Sequence, residues 1–228
     1  MFPIITLLEN VKVRPFWLAI LSDLVGTALL VFIGCGSIVL TTVAEPLQPY
    51  ATDIVRVALT FGFAVTVIIT ALGPVIDCHI NPAVSIGLVF AGRCTVLKAS
   101  LHVLAQLLGS VIGSGMLYLV TPRDQRGNMG MTNFAHDITA LQAVIAEIAM
   151  TFILLVVISA CLDEERPDYE SAKVNNALLI GLTVVALNMK GVNFLSFLIG
   201  LYFNFSRRFL TQVQVPTQQE VLVRLSSR

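Results

Sequence analysis

Five apolar stretches follow one another along the 228-residue chain, each about as long as a helix that crosses a lipid bilayer. Hydrophobic residues make up 56% of the chain and charged residues only 12%, well below the charged share of soluble domains. The sequence therefore predicts an all-α transmembrane protein. The predicted spans are residues 17–41, 54–76, 97–120, 138–162 and 174–190, and residues 192–205 form a sixth apolar stretch that is short for a span.

Positively charged residues alternate between the predicted loops. Lys12 and Arg14 precede the first span, whereas the loop that follows this span has no lysine or arginine. Arg93 and Lys98 then flank the connection between the second and third spans. Because cytoplasmic loops are enriched in lysine and arginine, the pattern predicts a cytoplasmic amino terminus, residues 1–16. We expect a multi-pass protein of the plasma membrane.

Two sequence patterns recur in the second half of the chain. The acidic-x-x-x-Thr pattern that begins at Asp23 recurs 124 residues later at Glu147. Residues 58–65 resemble residues 177–184, which lie 119 residues later. Three spans separate the copies, and an odd number inverts the second copy in the membrane. Inverted repeats place a solute site near the middle of the bilayer, so this is where we expect one.

The triplet Asn81-Pro82-Ala83 lies between the second and third spans. Asparagine is a strong helix N-cap and proline is favoured at the first helical position, so the triplet predicts a helix from Pro82 to about Phe90. A helix this short cannot cross a bilayer and needs a polar or protein-lined place. Its amino end carries partial positive charge, and Asn81 has amide donors to turn toward a lumen. This arrangement suits a small neutral, oxygen-bearing solute and repels cations.

With the repeat and this triplet, the chain resembles the aquaporins, the family of major intrinsic proteins, and its segment between the second and third spans is most similar to insect members. The resemblance runs from about residue 17 to residue 194. Other residues that carry it are residues 34–37, 79–87, Gly92-Arg93, Lys98-Ala99, Ala105-Gln106, Gly109, Gly113 and residues 191–194.

The resemblance implies one membrane domain over residues 1–228, with residues 17–120 as the first repeat. It further implies a tetramer with one pore per subunit, surrounded by lipid, that conducts water and, as further candidates, glycerol or urea. Such a channel is not an enzyme and needs no cofactor. In the family's pattern Phe61 and Asn188 fall at the constriction of the pore. The other expected pore residues are His79, Asn81, Pro82 and Ala83.

The second Asn-Pro-Ala triplet of the family has no counterpart in this chain. The spacing from Gly181 predicts its asparagine near residue 200, where the chain reads Leu198-Ile199-Gly200-Leu201. We therefore expect residues 138–194 to be a partial second repeat, one re-entrant half-helix instead of two, and residues 195–228 to be a divergent tail. Since proton exclusion depends on the positive ends of half-helices, we expect it to be impaired.

Two carboxylates, Asp23 and Glu147, lie inside predicted spans, where an ionisable residue is a functional candidate. One interpretation is a proton relay or a catalytic pair; the favoured one is that each carboxylate caps backbone amides of its repeat's re-entrant loop. His79 is either a pore-lining residue or a hydrogen-bonded structural histidine. Gly109 and Gly113 form a small face on the third span, which favours close packing within the subunit.

Other classes of function have less support in the sequence. The formal net charge is zero and no basic face points to nucleic acid. The four cysteines form no Cys-x-x-Cys pair and the three histidines lack ligand spacing, so we expect no metal. The alternative to a channel is a non-conducting membrane protein that assembles with related full-length channels as a hetero-oligomer.

Overall fold

The computed structural model describes residues 14–43, 51–72, 78–122, 126, 139–163, 165 and 169–190, and the regular secondary structure among these residues is α-helix. The predicted amino-terminal segment up to residue 13, the apolar stretch 192–205 and the tail 195–228 lie outside the described residues. The helices of the described part are α1 (Arg14–Val43), α2 (Ala51–Leu72), α3 (Pro82–Phe90), α4 (Val96–Val120), α5 (Ala140–Cys161) and α6 (Tyr169–Lys190).

Four of these helices are long and apolar enough to cross a membrane. The fifth predicted span corresponds to α6, whose apolar part, Asn175–Met189, is shorter than the other four. Large apolar side chains such as Leu104 and Leu108 on α4 and Phe152 on α5 are exposed on the outside of the bundle. A lipid environment accommodates such faces, whereas water does not. The apolar segments that qualify are Pro15–Val39, Ile54–Leu72, Val96–Val120 and Val144–Cys161.

The short helix α3 begins and ends where its local sequence predicts. The Asn81 side chain accepts a hydrogen bond from the Ala83 backbone nitrogen at 2.9 Å, and Pro82 occupies the first turn. The helix stops at Phe90, and Gly92 follows with a φ of +71°, which glycine adopts without steric cost. Val84, Ser85 and Leu88 are the buried residues of α3, which packs against α4 and α5.

Close backbone approach joins α1 to α4. A Cβ atom built at Gly109 would overlap the backbone carbonyl of Leu24, and one built at Gly113 would overlap that of Ala28. The predicted small face on α4 is therefore used within the subunit. It brings the two helices close enough for polar side chains of α4 to reach Asp23 on α1.

A second close approach joins α2 to α6 through Gly62 and Gly181. A Cβ atom at Gly62 would lie 2.6 Å from the carbonyl oxygen of Gly181, and one at Gly181 would lie 2.5 Å from that of Gly62. The two glycines are equivalent positions in the segments 58–65 and 177–184. Reciprocal contact between equivalent positions is the arrangement that a two-fold axis between the repeats produces.

Substitution of Gly109 by alanine tests the α1–α4 contact. Gly109→Ala places a methyl group against backbone that cannot move aside, so we expect a loss of about 1–3 kcal/mol in stability, the cost of overpacking. Thermal unfolding of the detergent-purified protein measures the effect as a lower midpoint.

The control for this substitution is Gly115→Ala on the same helix. Its Cβ would meet nothing within 4 Å, and alanine is the better helix former. Equal midpoints for the two variants would contradict the close packing of α1 and α4.

Candidate functional site

The carboxylate of Asp23, on α1, lies at the centre of a buried hydrogen-bond network. Its Oδ1 atom accepts from the backbone nitrogens of His79 at 2.7 Å and Ile80 at 2.8 Å. Its Oδ2 atom accepts from Nδ1 of His102 at 2.6 Å and from Nε2 of Gln106 at 2.7 Å. The side chain is 0% exposed, and these four donors occupy both oxygens. Asp23 thus ties α1 to α4 and to the segment that leads into α3.

The backbone that Asp23 holds is strained. Ile80 has a φ of +46°, a conformation that β-branched residues adopt rarely and at a cost of about 1–3 kcal/mol. The two hydrogen bonds from Asp23 to the neighbouring amides of His79 and Ile80 offset this cost. The sharp bend at Ile80 then directs Asn81 into the first turn of α3. Asp23 is therefore a brace for the entry of the re-entrant helix.

Two further side chains extend the network toward α3. Gln106 Nε2 also lies 3.1 Å from the hydroxyl oxygen of Ser85, and this oxygen lies 3.0 Å from Nδ1 of His79. The imidazole rings of His79 and His102 are stacked, with centroids 4.2 Å apart and planes inclined by 24°. All of these side chains are buried. The network consequently fixes the ring of His79 as well as its backbone.

A cavity of about 80 Å³ lies next to this network, roomy enough for several water molecules. Its wall is mainly apolar, with a few polar groups. Asn81 and Val84 are part of the wall, so the amino end of α3 faces the cavity. The polar residues that line it are Thr27, His79, Asn81, Glu147 and Thr151.

Among the described residues that line the cavity, half are pairs that the repeat makes equivalent. Positions 124 residues apart in α1 and α5 line it together, and so do positions 119 residues apart in α2 and α6. The cavity therefore lies between the two copies, where the sequence places a solute site. The equivalent pairs are Thr27 and Thr151, Leu30 and Leu154, Phe61 and Ile180, and Val65 and Val184.

Comparison with known proteins agrees with this architecture. The model of the family described as "Major intrinsic protein" matches residues 10–223. The chain belongs to the major intrinsic protein family. The mouse protein "Aquaporin-4" is 31% identical over 186 residues, which cover 82% of this chain and 56% of the mouse protein. The human protein "Aquaporin-5" is 35% identical over 179 residues, which cover 78% of this chain and 64% of the human protein.

The solved structure of the aquaglyceroporin from Plasmodium falciparum has the same fold. It superimposes with a TM-score of 0.72 and 22% sequence identity, covering 89% of this chain and 84% of that protein. The chain spans less than two thirds of the length of the curated relatives it matches. Family membership and the apolar helices make this a multi-pass membrane protein of the aquaporin fold.

The pore residues predicted from the sequence fall into two groups, those that line the cavity and those that do not. Phe61, His79 and Asn81 line the cavity together with Glu147. Asn188 is buried on α6, where its Nδ2 atom donates to the carbonyl oxygen of Val184 at 2.9 Å, and it is not among the lining residues. The remaining predicted pore residues, Pro82 and Ala83, form the first turn of α3 and are not among the lining residues either.

The two predicted intramembrane carboxylates differ in position. Asp23 contacts the backbone of the segment before α3, in the manner of the brace proposed for it. Glu147 instead lines the cavity from α5, and the second re-entrant segment expected near residue 200 lies outside the described residues. Whether Glu147 braces that segment therefore stays a prediction.

Sequence reasoning missed the roles of His102, Gln106 and Ser85. These polar residues lie in helices whose pattern is mainly apolar, and a buried polar residue in such a helix needs a partner. The sequence therefore indicated that these residues need hydrogen-bond partners, but it did not show which residues the partners are. Asp23 is 79 residues from His102 and 83 from Gln106 along the chain, so only the packing of α4 on α1 reveals the contact.

Asp23, His79 and His102 also offer ligand-type atoms within 4.8 Å of one another. Metal binding by this trio requires a free oxygen on the carboxylate. Each oxygen of Asp23 already accepts two hydrogen bonds, two of them from backbone amides that have no other donor function. The carboxylate of this trio is therefore already satisfied by protein donors.

Replacement of Asp23 by asparagine tests the brace. Asparagine has one oxygen where the carboxylate has two, so two of the four buried donors lose their acceptor. At about 1–3 kcal/mol for each unsatisfied donor, we expect a loss of about 2–6 kcal/mol. The measurement is the thermal midpoint and the yield of monodisperse protein after purification in detergent.

The matched control is Asp163→Asn at the end of α5. Asp163 accepts one hydrogen bond, from the Glu165 backbone nitrogen at 3.2 Å at an exposed site, and asparagine keeps that acceptor. If Asp23→Asn is as stable as Asp163→Asn, Asp23 does not brace the re-entrant segment.

Proposed function

We propose that this protein is a passive channel for water, with glycerol and urea as further candidate solutes. The observation that carries the proposal is the cavity between the two repeats, into which the amino end of α3 projects Asn81. No covalent chemistry or cofactor is needed for flow down a gradient. Membership of the major intrinsic protein family supports the proposal.

The chemistry of Asn81 agrees with a neutral, oxygen-bearing solute. Its Oδ1 atom is engaged by the Ala83 backbone nitrogen, so the Nδ2 donors are the groups that it offers to the cavity it lines. The amino end of α3 adds partial positive charge at the same place. Donors with positive potential attract the oxygen atoms of water, glycerol or urea and disfavour cations.

Phe61 and Asn188 are proposed to set the width of the constriction. Phe61 is 4% exposed and lines the cavity from α2. Asn188 lies four residues after Val184, a lining residue, on the same face of α6. Because the amide of Asn188 is folded back onto its own helix, it leaves more room than a longer side chain projecting from that position.

The proposed assembly rests on membership of the family, and the proposed orientation rests on the charges of the loops. We propose a homotetramer or a hetero-oligomer with related channels, placed in the plasma membrane with a cytoplasmic amino terminus. Asp23 and Glu147 are proposed as structural carboxylates rather than catalytic ones. For Asp23 the support is its set of four hydrogen-bond donors.

Water flow into proteoliposomes tests the proposed function directly. Vesicles containing the purified protein are mixed rapidly with a hyperosmotic solution, and their shrinkage is followed by light scattering. We expect a rate well above that of protein-free vesicles of the same lipid. A rate at the lipid baseline, from protein shown to be folded and inserted, would rule out the channel and favour the non-conducting alternative.

Two phenylalanines that lie two residues apart, on different faces of α2, test whether solute passes the cavity. Phe61→Ala widens the cavity wall, so we expect a higher ratio of glycerol or urea flow to water flow. Phe63→Ala serves as the control because Phe63 is 51% exposed on the outside of the bundle. An unchanged ratio in Phe61→Ala, or an equal change in both variants, would show that solute does not pass this cavity.

A further inference from the structure

We propose that Gly34 is a positioning residue that sets how far the ring of Phe61 projects into the cavity. Because Phe61 is proposed to set the width of the constriction, this inference rests on the proposed channel function and deepens it. The geometry that carries it is the contact of the ring with the bare backbone of Gly34 on α1. Gly34 thereby affects which solutes pass, although it is not among the lining residues itself.

The ring of Phe61 occupies the space that a side chain at position 34 would take. A Cβ atom built at Gly34 would overlap Cε1 of the ring and would lie 2.5 Å from Cζ and 2.9 Å from Cδ1. Carbon atoms in ordinary contact lie about 3.5–4.0 Å apart, so a methyl group at this position displaces the ring by about 1 Å. Only glycine leaves the ring where it is.

The repeat indicates on which side of the ring the cavity lies. The position equivalent to Gly34, 124 residues later, is Ile158 on α5, and Ile158 lines the cavity. The position equivalent to Phe61 is Ile180, which lines the cavity from α6. The second copy thus lines the cavity from both helices, whereas in the first copy the ring from α2 covers the equivalent position of α1. The ring of Phe61 therefore lies between Gly34 and the cavity.

Neither α1 nor α2 can withdraw from such a methyl group. On its other side α1 is backed by α4, since Cys35 of α1 and Leu117 of α4 belong to one buried cluster. The helix α2 is held against α6 by the close contact of Gly62 with Gly181. Because packed interiors yield little, the ring moves toward the open space that it borders, which is the cavity.

The displaced ring obstructs larger solutes more than water. Glycerol and urea are larger than a water molecule, and the wall around the ring is mainly apolar. One methylene group changes discrimination in an apolar pocket by about tenfold or more. We therefore expect Gly34→Ala to lower the ratio of glycerol or urea flow to water flow about tenfold, the opposite direction from Phe61→Ala.

Flow into proteoliposomes tests the positioning role with four proteins: the wild type, Gly34→Ala, Phe61→Ala and the double variant. Where the wild type passes glycerol or urea, Gly34→Ala lowers the flow ratio, and where it passes water alone, Gly34→Ala lowers the water flow. In the Phe61→Ala background no ring is left to displace, so the same substitution changes the flow by less than about twofold. An equal effect of Gly34→Ala in both backgrounds, or no effect in the presence of the ring, would overturn the inference.

The matched control is Gly36→Ala on the same helix. Its Cβ atom would lie 3.5 Å from the Leu117 side chain, an ordinary contact that needs no displacement. The flow ratio of this variant should equal that of the wild type. A similar fall in both glycine variants would show that any alanine in this part of α1 disturbs the pore, and the specific role of Gly34 would be lost.

Thermal unfolding in detergent separates this inference from the proposed function. We expect Gly34→Ala to lower the midpoint in the presence of Phe61 but not in the Phe61→Ala background, where alanine is also the better helix former. If every protein is at the lipid baseline, the channel proposal fails, whereas the midpoints still decide the contact. Equal shifts in both backgrounds would show that the ring does not rest on Gly34. If Gly34→Ala does not fold, recovery of folding in the double variant confirms the contact, and failure to recover overturns it.

Discussion

One buried carboxylate holds the re-entrant segment in place. Asp23 accepts two backbone and two side-chain hydrogen bonds, and it is the group that compensates the unfavourable backbone of Ile80. A segment inside a membrane protein has no bulk water to satisfy its amides, so the protein must supply the acceptors itself. The position of Asn81 in the cavity follows from this bend.

The cavity is a consequence of the repeat as much as of the re-entrant helix. Thr27 and Thr151 face it from α1 and α5, and Phe61 and Ile180 face it from α2 and α6. Close contact of Gly62 with Gly181 brings α2 and α6 together at equivalent positions. Two copies of a helix hairpin that meet in this way enclose a cavity that equivalent residues of both copies line. The polar side chains of the wall that the two copies do not share are His79, Asn81 and Glu147.

Local signals made part of this structure predictable. The start of α3 follows from Asn81 and Pro82 alone, because capping and proline placement act within one helical turn, and its end precedes Gly92. The four long helices follow from the length of apolar runs. Partners across helices were not predictable, since the contact of Asp23 with His102 depends on how Gly109 lets α4 approach α1. The side-chain direction of Asn188 was not predictable for a similar reason: its amide donates to its own helix, which the spacing of residues does not reveal.

The central claim is that Asp23 holds the amides of His79 and Ile80 inside the bundle. Amide hydrogen exchange of these two residues in the lipid-embedded protein tests it most directly. The account predicts exchange as slow as that of amides in the middle of α1, although His79 and Ile80 lie in no regular helix. Exchange as fast as that of an unprotected loop would mean that the carboxylate does not hold this segment, and the re-entrant channel architecture would lose its support.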